Sequence, residues 1–207
     1  MILTPIAPAE LDAALDRFAA RLETPAAQRA FALIRMTSAE RAADPHAERH
    51  RRRALALAAG HGMAIHPPDT PPGFNWDGRA LNGDTEAYVI LHEIAHFMLA
   101  PPARRRLADF GLGPGPDTTE IAAAEAAAIV PLTAREADEA AASLLGILWE
   151  ATLGQPALAS FLDQNWLEGL ERSAAEHFTA VLQRLMDDGL VGSDLLGAET
   201  IAAAHAR

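Results

Sequence analysis

The sequence contains neither cysteine nor lysine among its 207 residues. The absence of cysteine excludes disulfide bonds, thiolate metal sites, iron–sulfur clusters and cysteine nucleophiles. No uninterrupted apolar run or basic leader indicates a membrane span or a targeting segment. The formal net charge of −11 argues against binding to nucleic acid, which requires a cationic surface. We therefore expect a cytoplasmic protein that binds neither membranes nor nucleic acid, and any metal ligands must be nitrogen or oxygen atoms.

The residues that are present indicate a globular, mainly helical chain. Hydrophobic residues make up 50% of the sequence and charged residues 22%, a balance that is typical of a folded domain. In the N-terminal part, Leu11, Leu15, Phe18 and Leu22 recur with the spacing of one helical face,. We predict an N-terminal helical extension over residues 1–60 and a second helical domain over residues 61–207.

Capping signals and breakers delimit several further helices. Asp44-Pro45 predicts the start of a helix that ends near Gly60. Thr133 and Glu136 have the capping-box spacing at the start of a long helix, and Ser173 precedes another,. Further helices are predicted over residues 26–36, 84–100 and 117–130.

The stretch 61–83 differs, because proline and glycine are frequent there and helix formers are few,. We expect a loop with a small strand element, held in place by Phe74 and Trp76. Trp76 is the better candidate for the wall of a binding pocket, whereas Trp149 and Trp166 are expected in the core. The predicted fold class is therefore mainly α, or a zincin-like α+β arrangement, with the strand element before the helix over residues 84–100.

That helix contains the motif His-Glu-x-x-His, formed by His92, Glu93 and His96. Residues four apart lie on the same face of a helix, so both imidazole rings can reach one metal ion. Glu93 lies close enough to act on a metal-bound water, and burying these polar groups without a metal would cost several kcal/mol. The motif predicts that residues 61–207 form a domain that binds a divalent metal.

Two histidines leave the site short of a carboxylate ligand. The candidates are Glu139 and Glu136 on the helix after Pro131, and Glu120 on the preceding helix. Two glutamates spaced three apart opposite the histidine helix could also hold two irons. The sequence leaves the choice among these three residues open.

Two further segments accompany the motif. His92-Glu93-Ile94-Ala95-His96 is followed by Ala103-Arg104-Arg105-x-Leu107-x-Asp109-Phe110-Gly111, and then by Arg135-Glu136-Ala137-Asp138-Glu139. In this order they resemble the bacterial elongation factor P hydroxylase family. The resemblance implies an enzyme whose non-haem iron is held by His92, His96 and either Glu139 or Glu136. Its substrate would be a modified lysine of an elongation factor P-like protein. The cluster Arg104–Arg106 could then bind an acidic partner protein.

Three functional hypotheses follow from these residues. The first is the iron-dependent hydroxylase, with Glu93 as a further ligand or proton carrier. The second is a zinc metallopeptidase with His92, His96 and Glu120 as ligands and Glu93 as general base. The third is a helical interaction module in which a metal with a closed coordination shell has a structural role only. Iron is the favoured metal and zinc the alternative.

Overall fold

A computed structural model of the chain describes residues 6–41, 44–67, 73–168 and 173–192. Helices account for most of these residues, which confirms the mainly α fold. Within the described part, no helix combines the length and the apolar character needed to cross a bilayer. The α-helices are α1 (Pro8–Ala19), α2 (Pro25–Arg35), α3 (Ala47–Gly60), α4 (Ala87–Leu99), α5 (Ile121–Ala127), α6 (Leu132–Thr152), α7 (Ala157–Asp163) and α8 (Ala174–Asp187). The strands are β1 (Ala64–Ile65) and β2 (Ala80–Leu81), and two short 3-10 helices span Arg104–Arg106 and Ala108–Gly111.

The chain divides into two compact units. Among the described residues, the first comprises those in 6–44 and 147–192, and the second comprises those in 45–146. This division differs from the predicted boundary at residue 60, because α3 belongs with the metal-motif helix α4. Ala54 and Leu57 of α3 are buried and α3 packs against α4, so this helix supports the motif and is not part of a separate extension.

The core of the first unit is aromatic. Phe18, Phe31, Phe161 and Phe178 are buried, with centroids of neighbouring rings 4.7 to 6.1 Å apart. These rings come from α1, α2, α7 and α8, so the unit is a small helical bundle. Trp149 and Trp166 are also buried, which confirms their predicted place in the core.

In the second unit the predicted strand element is present but very short. Strand β1 pairs in parallel with β2, with Ala64 opposite Ala80 and Ile65 opposite Leu81. Asp77 holds the turn before β2, because its Oδ1 accepts hydrogen bonds from the backbone N–H groups of Arg79 and Ala80, both at 2.8 Å. The irregular stretch around the strands is thus fixed by backbone and side-chain hydrogen bonds.

Several helix starts differ from the predicted ones. Helix α6 begins at Leu132, directly after Pro131, so Thr133 lies inside the first turn and the predicted capping box does not form. A proline is well placed before a first turn because that turn needs no N–H from it. Helix α3 begins at Ala47 and not at Asp44-Pro45, and α5 does not begin at Asp117.

Candidate metal centre

Helix α4 presents the two histidines of the motif on one face. The Nε2 atoms of His92 and His96 lie 3.0 Å apart, as the four-residue spacing predicts. Ile90, Leu91 and Ile94 on the same helix are fully buried. The helix is therefore fixed by its apolar faces, and the imidazole rings are held by a rigid scaffold.

Glu139 of α6 completes the group. Its Oε2 lies 3.4 Å from Nε2 of His92 and 3.3 Å from Nε2 of His96. The three residues each offer one ligand atom, and these atoms converge. An ion about 2.1 Å from all three atoms would have ligand–metal–ligand angles of roughly 90° to 110°, which suits both octahedral and tetrahedral coordination. The site is thus of the right size for a first-row divalent metal.

A glycine allows the two helices to approach each other at this point. A Cβ at Gly146 of α6 would lie 3.4 Å from the Cα and the backbone nitrogen of His92. Gly146 is seven residues after Glu139, so both lie on the same face of α6. The close contact at Gly146 therefore directs the Glu139 carboxylate towards the histidines.

The electrostatics of the three residues are those of a site prepared for a cation. Burial raises the pKa of Glu139, but hydrogen bonds from His92 and His96 outweigh this and hold its pKa far below the usual range,. Burial and the neighbouring charge of His92 lower the pKa of His96. An ionised carboxylate beside a neutral imidazole is the protonation state that metal binding requires.

Glu93 lies beside this group without belonging to it. Glu93 is only 8% exposed, and this burial is the main reason why its pKa is raised to about 8. The charge of His92 lowers the pKa, whereas the negative charges of Asp109, Glu139 and Asp117 raise it further. No hydrogen bond joins the Glu93 carboxyl to any residue in the described part of the chain. A buried carboxyl next to candidate metal ligands, with a pKa near neutrality, is suited to accept and release a proton.

Stacked aromatic rings form a wall behind the histidines. The ring of His96 stacks on Phe110 with centroids 5.6 Å apart, and Phe110 stacks on Trp76 at the same distance. Trp76 also meets Phe97 edge-on at 5.5 Å, and its indole N–H donates to the carbonyl of Arg105 at 2.8 Å. Trp76 is therefore one ring removed from His96, and its predicted place in a pocket wall stays a prediction.

The backbone of Asp109-Phe110-Gly111 has an unusual conformation that places this wall. All three residues have positive φ angles, of 44°, 53° and 72°, a region that L-residues other than glycine rarely adopt. The Asp109 carboxylate accepts a hydrogen bond from the Thr118 hydroxyl at 2.7 Å, and its N–H donates to the Trp76 carbonyl at 2.9 Å. These bonds hold the strained turn that brings Phe110 to His96.

The arginine cluster has mainly structural contacts. Nη1 of Arg104 lies 2.7 Å from Oδ2 of Asp138, and its Nε donates to the Phe110 carbonyl. Arg105 donates to the Ala100 carbonyl after α4 and its guanidinium lies over the ring of Phe97. Of these three arginines only Arg106 is exposed, so most of the cluster is engaged within the protein and offers the predicted acidic partner little exposed charge.

The other two candidate ligands lie outside the group. Glu136 is exposed on α6, three residues before Glu139 and so on a neighbouring part of the helix surface. Glu120 is exposed at the N-terminal boundary of α5, with its side chain against Gly73. Of the described acidic residues, Glu139 alone joins both histidines in such a group. Gly146 was not selected from the sequence, although its spacing of seven residues from Glu139 was a usable signal,.

The chain was compared with known proteins. No family model matches it, and neither the curated proteins nor the solved structures contain a match. The similarity to the elongation factor P hydroxylase family therefore rests on the three segments quoted above and stays a prediction.

Proposed function

We propose that this protein is a metal-dependent oxygenase that hydroxylates a side chain of a partner protein, with iron(II) held by His92, His96 and Glu139. The observation that supports this most is the convergence of three ligand atoms, two imidazole nitrogens and one carboxylate oxygen, within 3.0 to 3.4 Å of one another. Two histidines and one carboxylate with open positions form the ligand set of non-haem iron oxygenases.

Iron(II) in such a site supplies the activation of dioxygen. One oxygen atom enters a C–H bond of the substrate, and the other leaves as water with two electrons and two protons from an external reductant. In this chain Glu93 holds or moves a proton beside His92, since its carboxyl is buried there with a raised pKa. The rings of Phe110 and Trp76 exclude water behind His96 and fix its orientation.

The metal requirement is tested by metal analysis of protein that has been purified without chelators from iron-supplemented, anaerobically handled cultures. We expect about one iron per chain in the wild type and none in His96→Ala. His46→Ala, which changes an exposed histidine of the same unit, is the matched control and should keep the iron. Full occupancy by zinc under these conditions would contradict the proposed oxygenase.

The proposed substrate, a modified lysine of an elongation factor P-like protein, follows from the resemblance. Because this chain contains no lysine, any hydroxylated lysine in a mixture with the partner must belong to the partner. Mass spectrometry after incubation with iron(II), a reductant and dioxygen should show the gain of one oxygen atom on that lysine. An unmodified partner in the presence of fully iron-loaded enzyme would refute this substrate.

A second candidate is a zinc hydrolase of the zincin-like type, which the position of Glu93 favours. A buried glutamate directly after the first histidine of the motif is placed to act as general base on a zinc-bound water. Glu139 would replace Glu120 as the third ligand in this hypothesis. Glu93→Gln should then keep zinc and lose peptide cleavage, and an intact panel of peptides after long incubation with zinc-loaded wild type would exclude it.

The third hypothesis, a purely structural metal, needs a closed coordination shell. Within the described ranges, no fourth histidine or acidic residue joins the group of His92, His96 and Glu139. This supports a site with positions left for a substrate or water. An exchangeable water proton signal on a paramagnetic metal bound to the protein would exclude the structural role.

A further inference from the structure

Arg135 lies on the same face of α6 as the carboxylate ligand. It precedes Glu139 by four residues, and Leu132 precedes it by three, so the three side chains form one stripe along the helix,. Neighbours at this spacing have Cβ atoms about 5 to 6 Å apart. Arg135 and Glu139 are therefore neighbours on the surface of α6.

The backbone of the loop before α5 fixes the position of this guanidinium. Its Nη2, Nη1 and Cζ atoms lie 3.0, 3.1 and 3.2 Å from the place where a Cβ at Gly113 would stand. Gly113 has a φ of 92°, a conformation that favours glycine. The guanidinium of Arg135 thus occupies the space that a side chain at position 113 would need.

Arg135 also has unused hydrogen-bonding capacity. Its Nε is buried and has no hydrogen-bond partner, and its guanidinium forms no hydrogen bond or ion pair with the described residues. Arg104, in contrast, is paired with Asp138. A buried donor without an acceptor is unfavourable because it has lost its hydrogen bonds to water. The planar fork of an arginine matches the two oxygens of a carboxylate, which would supply the missing acceptor.

We infer that Arg135 binds a carboxylate of an organic acid whose other polar end reaches the metal held by His92, His96 and Glu139. This inference rests on the proposed metal centre. A small acid with a carboxylate at one end is accordingly a co-substrate of the proposed enzyme.

The test uses the 207-residue chain loaded with cobalt(II), whose visible absorption changes when a ligand binds to the metal. Succinate is titrated against monomethyl succinate, which has the same chain length but only one carboxylate. We expect the wild type to bind succinate at least tenfold more tightly than monomethyl succinate. Arg135→Gln should abolish this preference, Arg135→Lys should retain part of it, and the control Arg106→Gln should retain all of it.

The outcomes distinguish the metal centre from the role of Arg135. Failure of cobalt to bind would overturn the proposed metal centre and this inference with it. The role of Arg135 alone is overturned if two results are obtained together. Cobalt binds equally well to the wild type and to Arg135→Gln, and the two proteins do not differ in their preference for succinate over monomethyl succinate. Circular dichroism of each variant, together with its cobalt affinity, establishes that the substitution has not unfolded the centre.

Discussion

Replacing Glu93 by glutamine should stabilise the metal-free protein while removing its proposed proton carrier. The Glu93 carboxyl has an ordinary pKa of 4.5, which burial raises to about 8 in the folded chain. Between these two values the folded state binds a proton that the unfolded state has already lost. The free energy of unfolding of the wild type therefore falls as the pH rises, by about 1.4 kcal/mol per pH unit.

The expected size follows from this slope. The contribution of Glu93 to the free energy of unfolding is largest below pH 4.5. It is about 3 kcal/mol smaller at pH 7, and above pH 8 it stays constant at about 5 kcal/mol below its largest value. Glutamine has nearly the same shape and does not ionise. The stability difference between Glu93→Gln and the wild type should thus be near zero at pH 4.5 and increase with pH in favour of the variant.

The assay is urea unfolding of both proteins in the presence of EDTA, at several pH values from 4.5 to 8.5. Because all other titrating groups are shared, their effects cancel in the difference between the two curves. With the metal bound, the nearby cation favours the carboxylate and the difference should shrink. A stability difference that does not change with pH would refute the claim that burial raises the pKa of Glu93 in the folded protein.

Three further substitutions test the packing that positions the centre. Arg104→Met should destabilise the protein by about 3 kcal/mol in urea unfolding, since it breaks the mostly buried pair with Asp138,, whereas the exposed Arg106→Met should have little effect. Gly78→Ala should lower the melting temperature by several degrees, because φ is 89° there and a Cβ would lie 2.5 Å from a backbone oxygen,; an unchanged melting temperature would show that no such steric conflict arises. Asp77 has a lowered pKa, because hydrogen bonds from two backbone N–H groups outweigh the effect of its burial. The wild type should therefore be more stable than Asp77→Asn at neutral pH. This difference in stability should disappear as the pH falls through the pKa of Asp77.

The helices and the centre of the site were predictable from local patterns. Leu15 and Phe18 lie on one buried face of α1, and His92 and His96 meet as their spacing requires. These features depend only on the geometry of a single helix. The sequence also placed Glu139 among the candidate ligands, although it could not choose between the three glutamates.

The rest depends on contacts between distant segments, which periodicity does not describe. The division of the chain follows from the packing of α3 on α4, a tertiary contact. The stacking of Phe110 on His96 depends on the positive φ angles of Asp109 and Phe110, which no propensity scale assigns to these residues. Their conformation is stabilised by hydrogen bonds to Thr118 and Trp76, and these partners are known only once the chain has folded.

The exposure of the three ligand residues has a kinetic consequence for metal exchange. The side chain of Glu139 is 47% exposed, that of His92 25%, and that of His96 only 5%. An ion in this centre would enter and leave on the Glu139 side, through rotation of one carboxylate, while the imidazoles stay in place. Small chelators should then remove the metal much faster than the protein unfolds, and the rate of release should respond to changes at residue 139 more than to the global stability of the fold.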